Sequence, residues 1–329
     1  MTTATATRPV SPITAAANAF VAAHLTEATA LGGRLSELVA DPDALVAAAE
    51  AGFADIADPA VREGIRRVTP GIGPVLGVRL PLLEASHRAF ARGTRQASSA
   101  HILDVTDRLM RHEMSDIRWF GMWNLERLLP TDPERAWQLM RRGASEAGEW
   151  ITVDTLAHPY GAGILLDARR WPELGQLVYS PSPWERRLVG STLATMPHVK
   201  RPPGGKDATV TTHALALIGE LIGDAEPDVQ KALSWALRTH ADLDPTATTA
   251  FLEAETATAR ATGDGHRAWV IRDSLSKLPP ATAARLKASL DGIRRGPGPS
   301  TSNGAATAQF ATAQTQGAAP RSAARPREE

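Results

Sequence analysis

The feature that most limits what this chain can fold into is a helical hydrophobic period broken at intervals by proline or glycine. Between Ala15 and Ser289 apolar residues recur at the three-and-four spacing of a helix, and runs of Val and Ile are short. The breaks are Gly71-Ile72-Gly73-Pro74, Leu129-Pro130-Thr131-Asp132-Pro133, His158-Pro159-Tyr160-Gly161, Ser180-Pro181-Ser182-Pro183, Pro202-Pro203-Gly204-Gly205, Glu226-Pro227, Leu243-Asp244-Pro245 and Pro279-Pro280. Several have the form of a helix start. Thr131-Asp132-Pro133-Glu134 offers a capping side chain, a proline for the first turn and an acid matched to the helix dipole. A chain punctuated in this way builds its core from short helices laid against one another.

Stacked antiparallel helix pairs produce this texture, as in HEAT-type solenoids with a repeat of roughly 40 residues. A globular helical bundle has a similar texture, but this chain is long and shows no dominant heptad. The expectation is an all-α fold: an α-solenoid of HEAT-like antiparallel helix pairs with a concave face. After Gly296 the large aliphatic residues give out and Pro, Ser, Thr, Gly, Ala and Gln take over, too little apolar area to offset ordering entropy. The expected organisation is a disordered N-terminus over 1–12, one helical-repeat domain over 13–295 and a disordered tail over 296–329.

Composition removes several function classes. The chain has no cysteine, which excludes disulfides, thiolate catalysis and Cys-type zinc sites and points to a reducing cytoplasm. No apolar run approaches the roughly 20 residues of a membrane span, and Met1 to Ala17 lacks the pattern of a signal peptide. No membrane partner is expected. The histidines are scattered, read as surface or helix-end residues, and show no ligand spacing, so neither a metal nor another cofactor is expected. The 36 basic and 36 acidic residues cancel, which weighs against an obligate nucleic-acid binder but allows positive residues to gather on one face.

The residues with chemical potential begin with Trp150 and Asp154 in Glu149-Trp150-Ile151-Thr152-Val153-Asp154. Four residues apart, they share one face of a helix. An indole beside a carboxylate attracts a cationic, sugar-like ligand; the alternative is a core tryptophan with a locally bonded acid. Pro183-Trp184-Glu185-Arg186-Arg187-Leu188 opens a helix with tandem arginines, and Ala232-Leu233-Ser234-Trp235 sets another tryptophan in an aliphatic helix. Lying in successive helical pairs, these line one face of a solenoid. Trp119 and Trp123, also one turn apart, read as core packing.

At these residues the chain resembles the HEAT-like-repeat DNA glycosylases of the AlkD type, which excise alkylated purines. The matching stretches are Glu149 to Ala157, Trp184 to Arg187 and Lys231 to Arg238, with Gly77-Val78-Arg79-Leu80-Pro81 before them and Trp269 to Leu278 after. The resemblance implies that Asp154 is the catalytic carboxylate and that Trp150 and Trp235 are the catalytic-cleft tryptophans. It implies that Arg187 contacts a DNA phosphate, with Arg186 and Trp184 beside it on the DNA-binding face. Departures are Leu82-Leu83-Glu84, where the family tends to have an arginine, and the stretch around Pro202 to Lys206, which lengthens the gap between Arg187 and Trp235.

The implied activity is hydrolysis of the N-glycosidic bond of N3-alkyladenine, N7-alkylguanine and bulky adducts in duplex DNA, without base flipping and without strand cleavage. The implied enzyme is a monomer serving base excision repair or self-resistance to a DNA-alkylating natural product. The competing expectation is a non-catalytic HEAT-like scaffold that binds DNA or protein.

Overall fold

The structure, a computed structural model, describes residues 11–199 and 209–296. Of the disorder expected over 1–12 and 296–329, residues 1–10 and 297–329 fall outside the described residues, as does the Pro202 to Lys206 stretch, whereas Ser11 caps the first helix and Pro12 opens it. The described chain is all α, with one isolated bridge between Ala57 and Val78 as its only extended pairing. No described helix is long and apolar enough to cross a membrane.

Two compact units divide the chain between Gly121 and Met122. The first carries α1 (Pro12–Glu37), α2 (Pro42–Asp55), α3 (Pro59–Val68), α4 (Leu80–Gly93), α5 (Ser99–Met110) and most of α6 (Ser115–Met122). The second carries α7 (Leu125–Leu128), α8 (Pro133–Glu146), α9 (Trp150–Leu166), α10 (Trp171–Gln176), α11 (Pro183–Thr195), α12 (Thr209–Leu221), α13 (Pro227–Leu243), α14 (Pro245–Thr262), α15 (Gly265–Ser274) and α16 (Pro280–Ser289).

Most of these helices open on a proline at the first turn, as the punctuation predicts. Ser11, Asp41, Asp58 and Asp244 also cap the following helix through the side chain. Asp132 does not. It stands at the cap position of α8, but its carboxylate pairs with Arg135 at 2.6 Å instead. The larger departure is His158-Pro159-Tyr160-Gly161, which lies inside α9 rather than between helices. Pro159 has no N–H for the Thr155 carbonyl, yet the helix continues because its neighbours enclose it. A Cβ on Gly161 would meet Met196 at 3.0 Å, and one on Gly163 would meet Trp137 at 3.0 Å.

In the first unit α1 packs along α4, where Gly32 allows the closest approach and Ser86 Oγ donates to the Ala28 carbonyl at 2.8 Å. The Gly77-Val78-Arg79 stretch proves to be a structural joint. Gly77 has φ +90° and faces the Arg62 backbone, where a Cβ would sit 2.6 Å from the nitrogen. The buried Asp116 accepts from the N–H groups of Leu76 (2.7 Å), Gly77 (3.2 Å) and Val78 (2.8 Å), and burial pushes its pKa up despite them. Arg79 pairs with Asp58 at 2.6 Å, both buried. Trp119 lies in the core, as expected, whereas Trp123 is only partly buried.

In the second unit α9, α11, α13 and α15 stack side by side in one row, with α12, α14 and α16 forming a second layer. This is the expected solenoid of helix pairs. The tightest contact in the row is between α11 and α13: a Cβ on Gly190 would meet Ala232 Cβ at 2.8 Å and the Leu233 nitrogen at 3.0 Å. Backbones at that distance let short polar side chains reach from helix to helix. Behind them His240, in the last turn of α13, is a helix-end histidine that is buried. Its Nε2 lies 3.1 Å from the Leu193 carbonyl and its Nδ1 3.0 Å from Thr211 Oγ1. A carbonyl only accepts, so Nε2 carries the hydrogen and Nδ1 accepts from the threonine. Burial pushes this imidazole down to about 4.

Candidate active site

The site is built on α9, α11 and α13 of the second unit. Helix α9 starts at Trp150 because Glu149 caps it. The buried Glu149 carboxylate accepts from the N–H of Ile151 at 2.5 Å and of Thr152 at 2.9 Å, and from the Thr152 hydroxyl. That cap fixes Trp150 as the first helical residue and carries Asp154 one turn further on the same face.

Asp154 is held from the neighbouring helix. Arg187 donates to it twice, Nε to Oδ1 at 3.1 Å and Nη2 to Oδ2 at 2.8 Å. Ser191, one turn later on α11, donates Oγ to Oδ1 at 2.6 Å. The remaining nitrogen of Arg187, Nη1, donates to the Asp228 carbonyl in the first turn of α13 at 2.6 Å, with the Asp228 carboxylate 3.8 Å away. The guanidinium carbon lies 5.9 Å from the centre of the Trp150 ring. One arginine thus ties three helices together. Its side chain is 6% exposed and that of Asp154 21%. The cation is sealed in and the carboxylate keeps an open side.

The resemblance implies that Arg187 contacts a DNA phosphate; in the structure all three of its nitrogens donate to protein atoms. A planar fork closed on a carboxylate orients that carboxylate, and at 6% exposure its two remaining N–H groups are shielded from an incoming anion. Arg186 faces elsewhere. Its Nε donates to Asp224 at 2.6 Å and its Nη1 to the Ser180 and Pro181 carbonyls at 2.8 and 3.2 Å, which pins the approach to α11. Trp184 is partly buried and, seven residues before Ser191, lies on the same stripe of α11.

Trp235 is partly exposed and sits two turns beyond Asp228 on one stripe of α13, with Lys231 between them. Among the described residues it makes no hydrogen bond or ring contact with Asp154; it flanks the site from α13. Lys231 lies 3.9 Å from Asp228, and its pKa is lowered by burial first and by the Arg187 and Arg295 charges, against Asp228 and Asp273. Trp150, Asp154 and Arg187 therefore meet directly, Trp184 and Trp235 border them, and Arg186 is turned away.

Glu149, Ser191, Asp228 and Lys231 were not singled out from the sequence. Ser191 had a visible signal, because it follows Arg187 by four residues and must share its face. Which helix that face meets is a tertiary fact.

A family model described as DNA alkylation repair enzyme matches residues 49–278, which include all three helices of the site. No curated protein matches the chain.

Proposed function

Because the chain belongs to the DNA alkylation repair enzyme family, we propose that it is a monofunctional glycosylase that hydrolyses the N-glycosidic bond of cationic alkylated purines in duplex DNA. N3-alkyladenine and N7-alkylguanine are the natural substrates, with bulky adducts among them. The observation that carries this reading is the Asp154 carboxylate, clamped by Arg187 and Ser191, open on one side and one turn from Trp150.

Alkylation at N3 or N7 gives the purine a positive charge, so the base leaves as a neutral molecule when it takes the electron pair of the C1′–N bond. Little general-acid help is needed. Positive charge moves to the deoxyribose as an oxocarbenium-like species. Asp154 stabilises that charge and orients the water whose oxygen bonds to C1′, the water proton passing to the carboxylate or to solvent. An isolated carboxylate about 4 Å from a unit charge contributes on the order of 4 kcal/mol at an effective dielectric near 20. The Arg187 charge offsets part of this, and only the excess over ground-state attraction accelerates the reaction. A rate factor of about 10² is the reasonable share.

Trp150 and Trp235 border the approach and draw the cation to their faces. The sugar–phosphate backbone is gripped and the base is not extruded into a pocket, which leaves room for bulky adducts. The enzyme works as a cytoplasmic monomer without a cofactor, in base excision repair or in self-resistance to a DNA-alkylating natural product. Single-turnover release of 7-methylguanine and of a bulky N3-adenine adduct from duplex DNA tests the reading. Release of neither base sinks it.

A second reading, a non-catalytic HEAT-like scaffold for DNA or protein, draws on the net charge of zero and on the carboxylates that hold Arg186, Arg187 and Arg238. Asp154→Asn separates the two. Loss of excision with unchanged DNA affinity favours the enzyme.

A further inference from the structure

The row of helices contains a second frame made of the same parts. Trp269 and Asp273 of α15 repeat the Trp-xxx-Asp spacing of Trp150 and Asp154. The neighbouring helix α13 again supplies a serine and an arginine four residues apart: Ser234 Oγ lies 2.6 Å from Asp273 Oδ2, and Arg238 Nη1 donates to the same oxygen at 2.8 Å. The Trp269 ring again lies beside a guanidinium, that of Arg295 at 5.4 Å. Asp273 stands in the last turn of α15, where the negative end of the helix disfavours an acid, so its place depends on these donors.

The two frames differ in charge and in openness. Around Asp154 the groups in contact are Arg187, Asp228 and Lys231, two cations against two carboxylates. Around Asp273 the cations prevail. A hollow of about 480 Å³ is lined by Trp269, Arg272, Asp273, Ser276 and Lys287 among others. Arg238 and Arg295 are in contact with the frame, and Arg272 and Lys287 line the hollow with Asp273 as its one carboxylate. Lys287 is exposed and has no carboxylate within 4.0 Å among the described residues. Arg238 uses Nη1 for Asp273, and its side chain remains 30% exposed.

A flat apolar ring beside an excess of positive charge suits a nucleotide, with the sugar or base against the indole and the phosphate against the cations. We propose that Trp269 and Lys287, organised by Asp273, Ser234 and Arg238, form a second nucleotide subsite that holds the DNA strand away from the lesion. The proposal rests on the reading of the chain as a DNA repair enzyme. Across the row, from the α9–α11 interface to the α13–α15 interface is two helix spacings, about 16–20 Å, and Ser234 and Arg238 lie further along α13 than Asp228. At about 3.4 Å of rise per nucleotide the subsite lies at least about five nucleotides from the damaged one.

The test compares the wild-type protein with Lys287→Ala, Trp269→Ala and Trp269→Phe on undamaged and lesion-bearing duplexes. On an undamaged 24-pair duplex, Lys287→Ala and Trp269→Ala each weaken binding about 5–10-fold by fluorescence anisotropy. The salt slope falls by about one for Lys287→Ala, and Trp269→Phe restores most of the affinity. Single-turnover excision at saturating enzyme is unchanged in all three. On a lesion duplex cut to end about three pairs beyond the damage on both sides, the variants bind like the wild type. Lys287 is an exposed side chain, so its removal leaves the fold intact and its result stands even where Trp269→Ala is unstable. Unchanged affinity and salt slope for Lys287→Ala overturn the subsite, as does a weakening that persists on the short duplex or a fall in the saturated rate. Absence of excision by the wild-type protein counts against the glycosylase reading alone, because affinity for undamaged DNA is measured without catalysis.

Discussion

Asp154 and Asp273 are the carboxylates of two frames in one helical row, each a turn after a tryptophan and each held by a serine and an arginine of an adjacent helix, the following one for Asp154 and the preceding one for Asp273. At the first frame the arginine is sealed in, closes on both carboxylate oxygens and balances the charge. At the second it is partly exposed, reaches one oxygen and leaves a positive excess. The spacing of residues on a helix therefore does not define a site. Burial and charge balance decide whether the same four residue types position a carboxylate for a transient cation or gather cations for a phosphate.

The most disruptive way to break the comparison is to remove the two arginines. Arg187→Ala leaves Asp154 without its partner and unties α9, α11 and α13. Breaking a fully buried pair costs about 3–5 kcal/mol, and the open side of Asp154 brings the expected loss to about 2–3 kcal/mol. Arg238→Ala costs about 1 kcal/mol or less, because the Asp273 pair is exposed to solvent. Urea unfolding of both variants reads the difference directly. Equal losses would mean that the two frames are mechanically alike. A salt titration of DNA binding by the Arg187→Ala variant separates a positioning role of Arg187 from a phosphate contact. A positioning arginine leaves the salt dependence of DNA binding nearly unchanged in any folded variant, whereas a phosphate contact lowers the slope by about one.

The carboxylates themselves separate the frames by chemistry. Asp154→Asn keeps the shape and the serine bond but removes the negative charge, and single-turnover excision falls about 10²-fold. Asp273→Asn changes the rate at saturating enzyme less than about 3-fold. A comparable drop in both variants would place the second frame at the reacting sugar and end the distinction.

A third prediction concerns the support behind both frames. His240 joins α13 to the Leu193 carbonyl of α11 and to Thr211 of α12, and it is neutral in the folded protein because burial pushes it down to about 4. Its unfolded value is near 6.5, so the unfolded chain binds a proton that the native site refuses. The contribution is complete above about pH 6.5 and is lost as the pH falls toward about 4, by no more than about 3 kcal/mol. Thermal melts between pH 7 and pH 5 should show the decline, and His240→Asn should flatten it. An unaltered pH slope in that variant would remove His240 as its source.

Much of the fold was legible because its signals are local. Proline at the first turn marks α2, α3, α11, α13 and α14 in the sequence itself, and a capping aspartate precedes it at α2, α3 and α14. Pro159 misled because the cost of a proline inside a helix is local, whereas the packing of Gly161 and Gly163 that offsets it is tertiary. The pairing of Trp150 with Asp154 was legible for the same local reason. The role of Arg187 was not, because its identity as a phosphate ligand or a clamp depends on α9 and α13 closing on either side of it. Asp273 was overlooked although its spacing from Trp269 repeats that of the first pair, since the exposure that distinguishes the two is not written in the spacing.

The smallest expected effect falls on the two serines, and it isolates geometry from charge. Ser191→Ala removes one short hydrogen bond to Asp154 and leaves both bonds from Arg187 in place. The stability cost is about 1 kcal/mol, at the modest end for a bond to a charged group. Excision falls about 5-fold, because Oδ1 loses one of the two donors that fix the plane of the carboxylate against the sugar. Ser191→Thr keeps a hydroxyl and restores much of the rate, provided that the added methyl fits between α9 and α11. Ser234→Ala removes the matching bond at Asp273 and should cost similar stability with no change in the saturated rate. Both serines reach a carboxylate oxygen at 2.6 Å, and Ser234 also bonds the Lys231 carbonyl and accepts from Arg238, so a rate effect confined to Ser191 points to Asp154 as the carboxylate that faces the reacting sugar. Matching rate effects at both positions would instead trace the loss to a general loosening of the helical row.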